Sequence, residues 1–263
     1  MGKLIIGGLG LCCGRDTPQG VLDALEYADE VFLEYYTSRL VNMEDSAISE
    51  MLGREVKILG RSEVEGGDTV LEAASRGTAL FLTAGDPLVA TTHQELRLEA
   101  VRRGLEVEII PAPSIYTVVP SLLGLAHYKF GRTTTLQRPV GEYFPTSPFQ
   151  VVVENLTRGL HTLVLLDIDV ESGYYMTAGE GVEIMLESER RLGTGSFSEE
   201  TLVCAIARAG SASARLVCRR AGELKEMDLG EPLHTLVVPG KLHFKEAEAL
   251  VEFAGAPADI LQD

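Results

Sequence analysis

Thr83-Ala84-Gly85-Asp86-Pro87-Leu88 closes the apolar run Ala79–Leu82, which has the length and composition of a buried strand. A Gly-Asp-Pro turn at the carboxyl end of such a strand stands where open α/β sheets hold small ligands. Glycine at 85 tolerates backbone angles that a Cβ forbids, Asp86 can accept bonds from nearby amides, and Pro87 stops the strand. Taken alone, the turn is equally an ordinary strand-to-helix connection. The flanking sequence separates the two readings.

Upstream, Lys3–Leu9 reads as a strand, followed by a glycine-containing loop and a helix with Thr17 as N-cap and Pro18 at its first position. Val21, Leu22, Leu25 and Ala28 then share one helical face. Val31–Tyr36 and Val56–Leu59 read as the second and third strands. Asp68 is expected to cap a helix carrying Val70, Leu71 and Ala74 and ended by Gly77, and Thr78–Thr83 is the fourth strand. Downstream come a helix over Glu95–Arg103 and a strand over Val107–Ile110. Strands and helices alternating over short connections predict a parallel sheet covered on both faces.

Pro111-Ala112-Pro113-Ser114 interrupts this rhythm, with Ser114 as a candidate cap for an apolar helix over Ile115–Leu125. Gln137–Pro148, rich in proline and tyrosine, reads as a long surface segment near a functional opening; Arg138, Tyr143 and Phe144 are its candidate substrate contacts. The second half holds strands at His161–Ile168, Thr201–Arg208, Arg215–Cys218 and Leu233–Val238, and helices at Glu180–Arg191 and Phe244–Ala254. Fewer helices intervene, which predicts a mixed sheet. The tail Gly255–Asp263 reads as frayed. The expected fold class is α/β in two domains: residues 1–112 around a mostly parallel sheet, and 113–263 around a mixed one.

Composition narrows the function. Of 263 residues, 45% are hydrophobic, enough for a sizeable core. The formal net charge of −16 argues against nucleic acid as a partner and suits a basic protein surface. No apolar run is long enough to span a bilayer, and Met1–Leu11 is too short and glycine-rich for a secretory segment, so a soluble cytoplasmic protein is expected. Cys12, Cys13, Cys204 and Cys218 form no C-x-x-C pair and read as small buried hydrophobes. The five histidines include no H-E-x-x-H, so no metal site is indicated, and neither a P-loop nor G-x-S-x-G occurs. Gly8-Leu9-Gly10, with Glu34 at the end of the second strand, invites a dinucleotide reading. Cys13 stands at the third glycine position, however, and the helix begins too late to aim its N-terminus at a pyrophosphate. What remains is a set of strand-end loops: Gly8–Gly10, Gly85-Asp86-Pro87, Pro113-Ser114-Ile115, Leu165-Leu166-Asp167 and Pro232–His234. Spread over both halves, they suit a ligand held between two α/β domains. On its own, His234 is more commonly a structural histidine.

These segments resemble the diphthine synthase family, of the tetrapyrrole-methylase-like class. The matching pieces are Gly8-Leu9-Gly10-Leu11, Leu33-Glu34-Tyr35-Tyr36-Thr37-Ser38, and Gly85-Asp86-Pro87 followed by Ala90-Thr91-Thr92-His93. They continue through Ala112–Ile115, Tyr128–Gly131, and Gly159-Leu160-His161-Thr162-Leu163 with Leu165-Leu166-Asp167-Ile168. The last are Ala207-Arg208-Ala209-Gly210 and Pro232-Leu233-His234-Thr235-Leu236. The chain departs from the family pattern at Cys12-Cys13-Gly14-Arg15 and at Pro111 and Pro113. The resemblance implies a two-domain tetrapyrrole-methylase-like fold with a cofactor cleft between the domains, a homodimer, and S-adenosyl-L-methionine as methyl donor. It further implies translation elongation factor 2 as protein substrate: the amino group of its 3-amino-3-carboxypropyl-histidine is methylated repeatedly to diphthine, in diphthamide biosynthesis. Carried onto this sequence, cofactor contacts fall to Leu9, Asp86, Val89, Ser114, Ile115, Leu166, Ala209 and His234. The catalytic proton acceptor stays unassigned, and Asp86 is a cofactor ligand rather than a base. The alternatives are a same-class methyltransferase acting on a small tetrapyrrole such as a precorrin, and a non-catalytic module that keeps the fold.

Overall fold

The structure, a computed structural model, describes residues 2–12, 14–36, 38–41, 43, 45–170 and 172–262. Cys13 and Thr37, which figure in the sequence argument, lie outside the described residues. The chain divides into two compact units, Met1–Ile115 and Tyr116–Asp263.

The first unit runs β1 (Lys3–Gly8), α1 (Gln19–Tyr27), β2 (Glu30–Glu34), α2 (Asp45–Leu52), β3 (Lys57–Leu59), α3 (Arg61–Gly66), α4 (Asp68–Arg76), β4 (Thr78–Thr83), α5 (Gln94–Arg102) and β5 (Glu106–Ile110). Its five strands lie in the order β3-β2-β4-β1-β5, and their pairings are parallel. A parallel sheet must be covered on both faces, and the strand sequences show it. Ile5, Leu33, Leu80 and Leu82 pack with α1 and α2 residues such as Val21, Leu25 and Ile48. The alternate residues Leu4, Ile6, Phe32 and Phe81 pack with Val70, Leu71, Leu96 and Ala100 of α4 and α5.

Two expected caps are corrected. α1 starts one residue late, after Pro18, because the Thr17 hydroxyl donates instead to the Leu9 carbonyl at 3.0 Å. Gly67, at φ +71°, precedes α4, and Asp68 is its first residue, its carboxylate receiving Arg103 at 3.0 Å. Leu22 also leaves the expected apolar face of α1: it is 40% exposed, while Ala24 is buried in its stead.

The second unit contains α6 (Ile115–Leu123), β6 (Thr134–Leu136), α7 (Ser147–Thr157), β7 (Thr162–Leu166), the hairpin β8 (Ile168–Asp169) and β9 (Tyr174–Tyr175), α8 (Ala178–Leu192), β10 (Leu202–Ala207), β11 (Arg215–Arg220), α9 (Ala221–Leu224), β12 (His234–Val238) and α10 (Phe244–Ala254). The sheet order is β11-β10-β12-β7-β6; β6 runs parallel to β7 and the other pairs are antiparallel, so the sheet is mixed, as expected. One face is lined by Val164, Val203, Ala205, Leu236 and Val238 against Phe149 and Val152 of α7 and Val182 and Met185 of α8. Cys204 and Cys218 are buried cross-strand neighbours, 2.9 Å apart at sulfur, and Cys12 is buried too, as read from the sequence. The tail is not frayed: residues 258–261 form a 3-10 turn, Ile260 is buried, and Asp259 pairs with Arg220 at 2.7 Å.

A buried ionic cluster ties α10 to the start of β7. Glu246 accepts from Lys129, from the Ala126 and His243 amides at 2.9 and 2.8 Å, and from His161 Nε2 at 3.1 Å. His161 Nδ1 accepts the Gly240 amide at 2.9 Å, which places the imidazole proton on Nε2 and makes it the donor to Glu246. Burial opposes the Glu246 charge, yet Lys129 and the converging N–H donors hold its carboxyl down at about 2. Burial lowers His161 below its ordinary 6.5. The signs agree. Below pH 6.5 the unfolded chain takes up the His161 proton first, so stability falls from there downward. The Glu246 contribution is complete above 4.5 and is lost as pH falls from 4.5 toward about 2. Urea midpoints measured at pH 7.5, 5.5 and 3.5 should therefore decline stepwise, with the steeper loss at the acid end.

Candidate active site

In the first unit, β1 connects through α1 toward β2 on one side, and β4 connects through α5 toward β5 on the other. Their helices also lie on opposite faces. β1 and β4 are neighbours, so their carboxyl ends form the topological switch point where such sheets bind ligands. The two expected loops, Gly8–Gly10 and Gly85-Asp86-Pro87, stand there and are joined. The Gly85 amide donates to the Gly10 carbonyl at 2.7 Å, and the Leu9 amide to the Thr83 carbonyl at 2.9 Å.

Each glycine here has its own reason. A Cβ on Gly8 would sit 2.3 Å from the Gly85 carbonyl and 2.6 Å from Ala112 Cβ, so three loops meet on bare backbone. Gly85 adopts φ +74°, and a Cβ built on it meets nothing within 4 Å. The space on the side of its missing Cβ is open, while its amide and carbonyl are turned to Gly10 and Gly8. Gly8→Ala should cost about 1–3 kcal/mol by forcing the loops apart, measurable in urea unfolding.

Asp86 knits the turn. Its Oδ1 accepts the Leu88 amide at 3.1 Å and its Oδ2 the Ala112 amide at 3.4 Å, tying the ends of β4 and β5 together. Residues 87–93 wrap over this turn, with Ala90 in the left-handed region at φ +58°. Val89 is exposed, Ile115 half-buried and Ser114 buried. Leu9 is fully buried among the α1 core residues and shapes the site through its backbone. Asp16, ahead of α1, fixes the loop after Gly10: its carboxylate accepts the amides of Leu11 and Cys12 at 2.5 and 3.0 Å. Glu34 does not present an acid to a ligand, because its side chain is fully buried.

In the second unit the three expected residues meet at one sheet edge. His234 opens β12 opposite Ala207, the last residue of β10. The β12–β7 register, Thr235 on Leu165, sets His234 opposite Leu166 at the end of β7. Ala209 follows two residues beyond Ala207. Leu166 turns its side chain into the core beneath α8, leaving its backbone at the edge. Both ring nitrogens of His234 face backbone: Nδ1 accepts the Ala178 amide at 3.2 Å and Nε2 donates to the Glu231 carbonyl at 3.1 Å. Burial lowers its pKa, so the neutral ring caps α8. Arg208, at φ +52°, is buried; its guanidinium donates to the carbonyls of Ser213 at 3.2 Å, Leu229 at 3.0 Å and Glu231. No sequence signal singled it out as the clamp of this edge. The segment after β6 comes to the same edge: the Arg138 amide donates to Asp167 Oδ2 at 2.9 Å, and its guanidinium stacks on Tyr174 at 4.3 Å. Phe144 lies under Arg191 at 3.9 Å, whereas Tyr143 is 65% exposed.

Strand-end loops of an α/β unit, built from bare glycines and one carboxylate, suit a small-molecule ligand without naming its chemistry. Comparison with known proteins supplies it. The profile of the tetrapyrrole (corrin/porphyrin) methylases matches residues 3–225. The chain is 47% identical over 259 residues to diphthine synthase of Methanothermobacter thermautotrophicus, covering 98% of each. It is 45% identical to diphthine synthase of Methanocaldococcus jannaschii, covering 94% of this chain and 97% of the relative. A crystal structure of diphthine synthase superposes with a TM-score of 0.89 at 37% identity, covering 99% of both chains. The chain belongs to the tetrapyrrole methylases and, within them, to the diphthine synthase family. It is a methyltransferase.

Proposed function

We propose that this chain transfers methyl groups from S-adenosyl-L-methionine to the amino group of a 3-amino-3-carboxypropyl-histidine on translation elongation factor 2, repeatedly, to give diphthine. The observation carrying this reading is the similarity to diphthine synthases at 45–47% identity over nearly the whole chain. A precorrin-type acceptor is disfavoured by the same relatives. We further propose a cytoplasmic homodimer.

The residues at the first sheet's switch point fit an adenosyl-type ligand. Gly85 offers bare backbone beside open space, and Val89 and Ile115 offer accessible apolar surface. A carboxylate has about four acceptor sites; those of Asp86 receive the Leu88 and Ala112 amides, leaving capacity for a ligand hydroxyl or amine. In this reading the cofactor contacts of the first unit are Leu9, Asp86, Val89, Ser114 and Ile115, and those of the second unit are Leu166, Ala209 and His234. The donor supplies an activated methyl group, so the protein's task is binding and in-line alignment. His234 orients rather than accepts a proton, because its nitrogens are engaged with the Ala178 and Glu231 backbone. The acceptor amine must be neutral to attack.

Titration calorimetry with S-adenosylhomocysteine tests the cofactor; no heat at high concentration would favour a non-catalytic module. Labelled methyl transfer to a corrinoid precursor, without transfer to the elongation factor, would overturn the acceptor. Light scattering at twice the monomer mass supports the dimer, and the monomer mass refutes it.

A further inference from the structure

Two stretches that carry the family resemblance, Leu33–Ser38 and Ala90–His93, contribute no residue to the cofactor set above. The structure brings them together. Glu34 ends β2 and pairs in register with Thr83 at the end of β4. Both side chains lie on the sheet face that Phe32 and Phe81 line with α4 and α5, one step further along their strands. His93, just before α5, packs edge-on against Phe81 at 5.1 Å. Glu34 and Thr83 are fully buried and His93 is 1% exposed. An apolar face thus ends in three buried polar side chains, a costly arrangement that needs a compensating role.

The bonds of His93 indicate that role. Its Nδ1 lies 2.9 Å from the Pro87 carbonyl, which can only accept, so Nδ1 carries the proton and donates. Thr91 Oγ1 donates to the same carbonyl at 3.2 Å. On the other side of the ring, Nε2 faces Glu34 Oε1 at 3.6 Å. Glu34 is itself fixed, its Oε2 accepting the Tyr36 amide at 3.1 Å. A chain of contacts therefore runs from the end of β2, through Glu34 and His93, to the carbonyl beside Asp86. This is the turn whose amides at 88 and 112 Asp86 holds. Ala90 completes the wrap in a left-handed conformation, which persists only where surrounding bonds dictate it.

We infer that Glu34 and His93 form a buried positioning pair for the Gly85-Asp86-Pro87 turn, acting on the methyl donor through the Pro87 carbonyl without touching it. The inference rests on the cofactor reading of Asp86 given above. Side-chain geometry provides its test. In His93→Asn the amide nitrogen replaces Nδ1 and can keep the Pro87 bond. In His93→Gln the amide reaches toward Glu34 and the bond to Pro87 is lost. His93→Phe keeps the ring volume and the Phe81 contact and loses both.

Three readouts are taken on each folded variant: amide hydrogen exchange at Leu88 and Ala112 in the ligand-free protein, S-adenosylhomocysteine affinity by calorimetry, and steady-state methyl-transfer kinetics. The pair predicts exchange at both amides accelerated at least tenfold in His93→Phe and His93→Gln, and near wild type in His93→Asn. It predicts S-adenosylhomocysteine affinity weakened and donor KM raised about tenfold in the same two variants, with kcat at saturating donor and the KM for the protein acceptor within threefold of wild type. Glu34→Gln should fall between Asn and Phe. Unchanged exchange in His93→Phe, or equal behaviour of the Asn and Gln variants, would overturn the inference. Should His93→Phe fail to fold, the Asn–Gln difference alone decides. Accelerated exchange in His93→Phe and His93→Gln, with a wild-type protein that binds no S-adenosylhomocysteine, would uphold the pair and refute the cofactor reading, so the two failures are distinct.

Discussion

Asp86→Ala is expected to weaken S-adenosylhomocysteine binding by about 30-fold or more while the protein stays folded. The carboxylate makes two charge-assisted bonds to backbone amides, at Leu88 and Ala112, that hold the ends of β4 and β5 together. Bonds of this kind contribute about 1.5–3 kcal/mol each, and roughly 2 kcal/mol of lost binding corresponds to about 30-fold. The substitution removes none of the fully buried apolar side chains of the sheet, such as Ile6, Phe81 and Leu82. Asp86→Asn keeps one acceptor oxygen and should lose less. Calorimetry beside circular dichroism checks this; wild-type affinity in a folded Asp86→Ala protein would remove Asp86 from the site.

Glu246→Ala should have the largest effect on stability, a loss of about 3–5 kcal/mol, the usual cost of removing one partner from a buried ion pair. The carboxylate satisfies Lys129, His161 and two backbone amides from separate parts of the second unit. Its removal leaves the ammonium of Lys129 without that carboxylate and the His161 Nε2 proton without an acceptor. Glu246→Gln retains an oxygen for some of these donors and should lose less. Equilibrium unfolding in urea gives the comparison, and a change below about 1 kcal/mol in the alanine variant would show that the cluster is dispensable.

Strands whose apolar runs ended in glycine or proline turns were legible. Thr78–Thr83 is β4 to the residue, and Phe244–Ala254 is α10, capped before and ended by Gly255 after. α7 begins inside the stretch that reads as a surface segment, because a proline in the first helical turn loses no bond. The hairpin of β8 and β9 is two residues per strand, too short for any period to register. At the site, the strand-end loops could be read because glycine and proline mark them. The supporting shell could not. Asp16, Arg208 and the Glu34–His93 pair act through partners such as Cys12, Glu231 and Pro87 that only the folded backbone brings within reach.

The reaction assigned to this chain is the methylation of a modified histidine on a protein. Mass spectrometry of elongation factor 2 carrying the 3-amino-3-carboxypropyl precursor, before and after incubation with this chain and S-adenosyl-L-methionine, tests it most directly. Successive methyl increments on the peptide containing that histidine are predicted, and they should vanish when the donor is withheld. An unchanged peptide mass, with the protein folded and the donor bound, would mean that this chain does not act on that histidine.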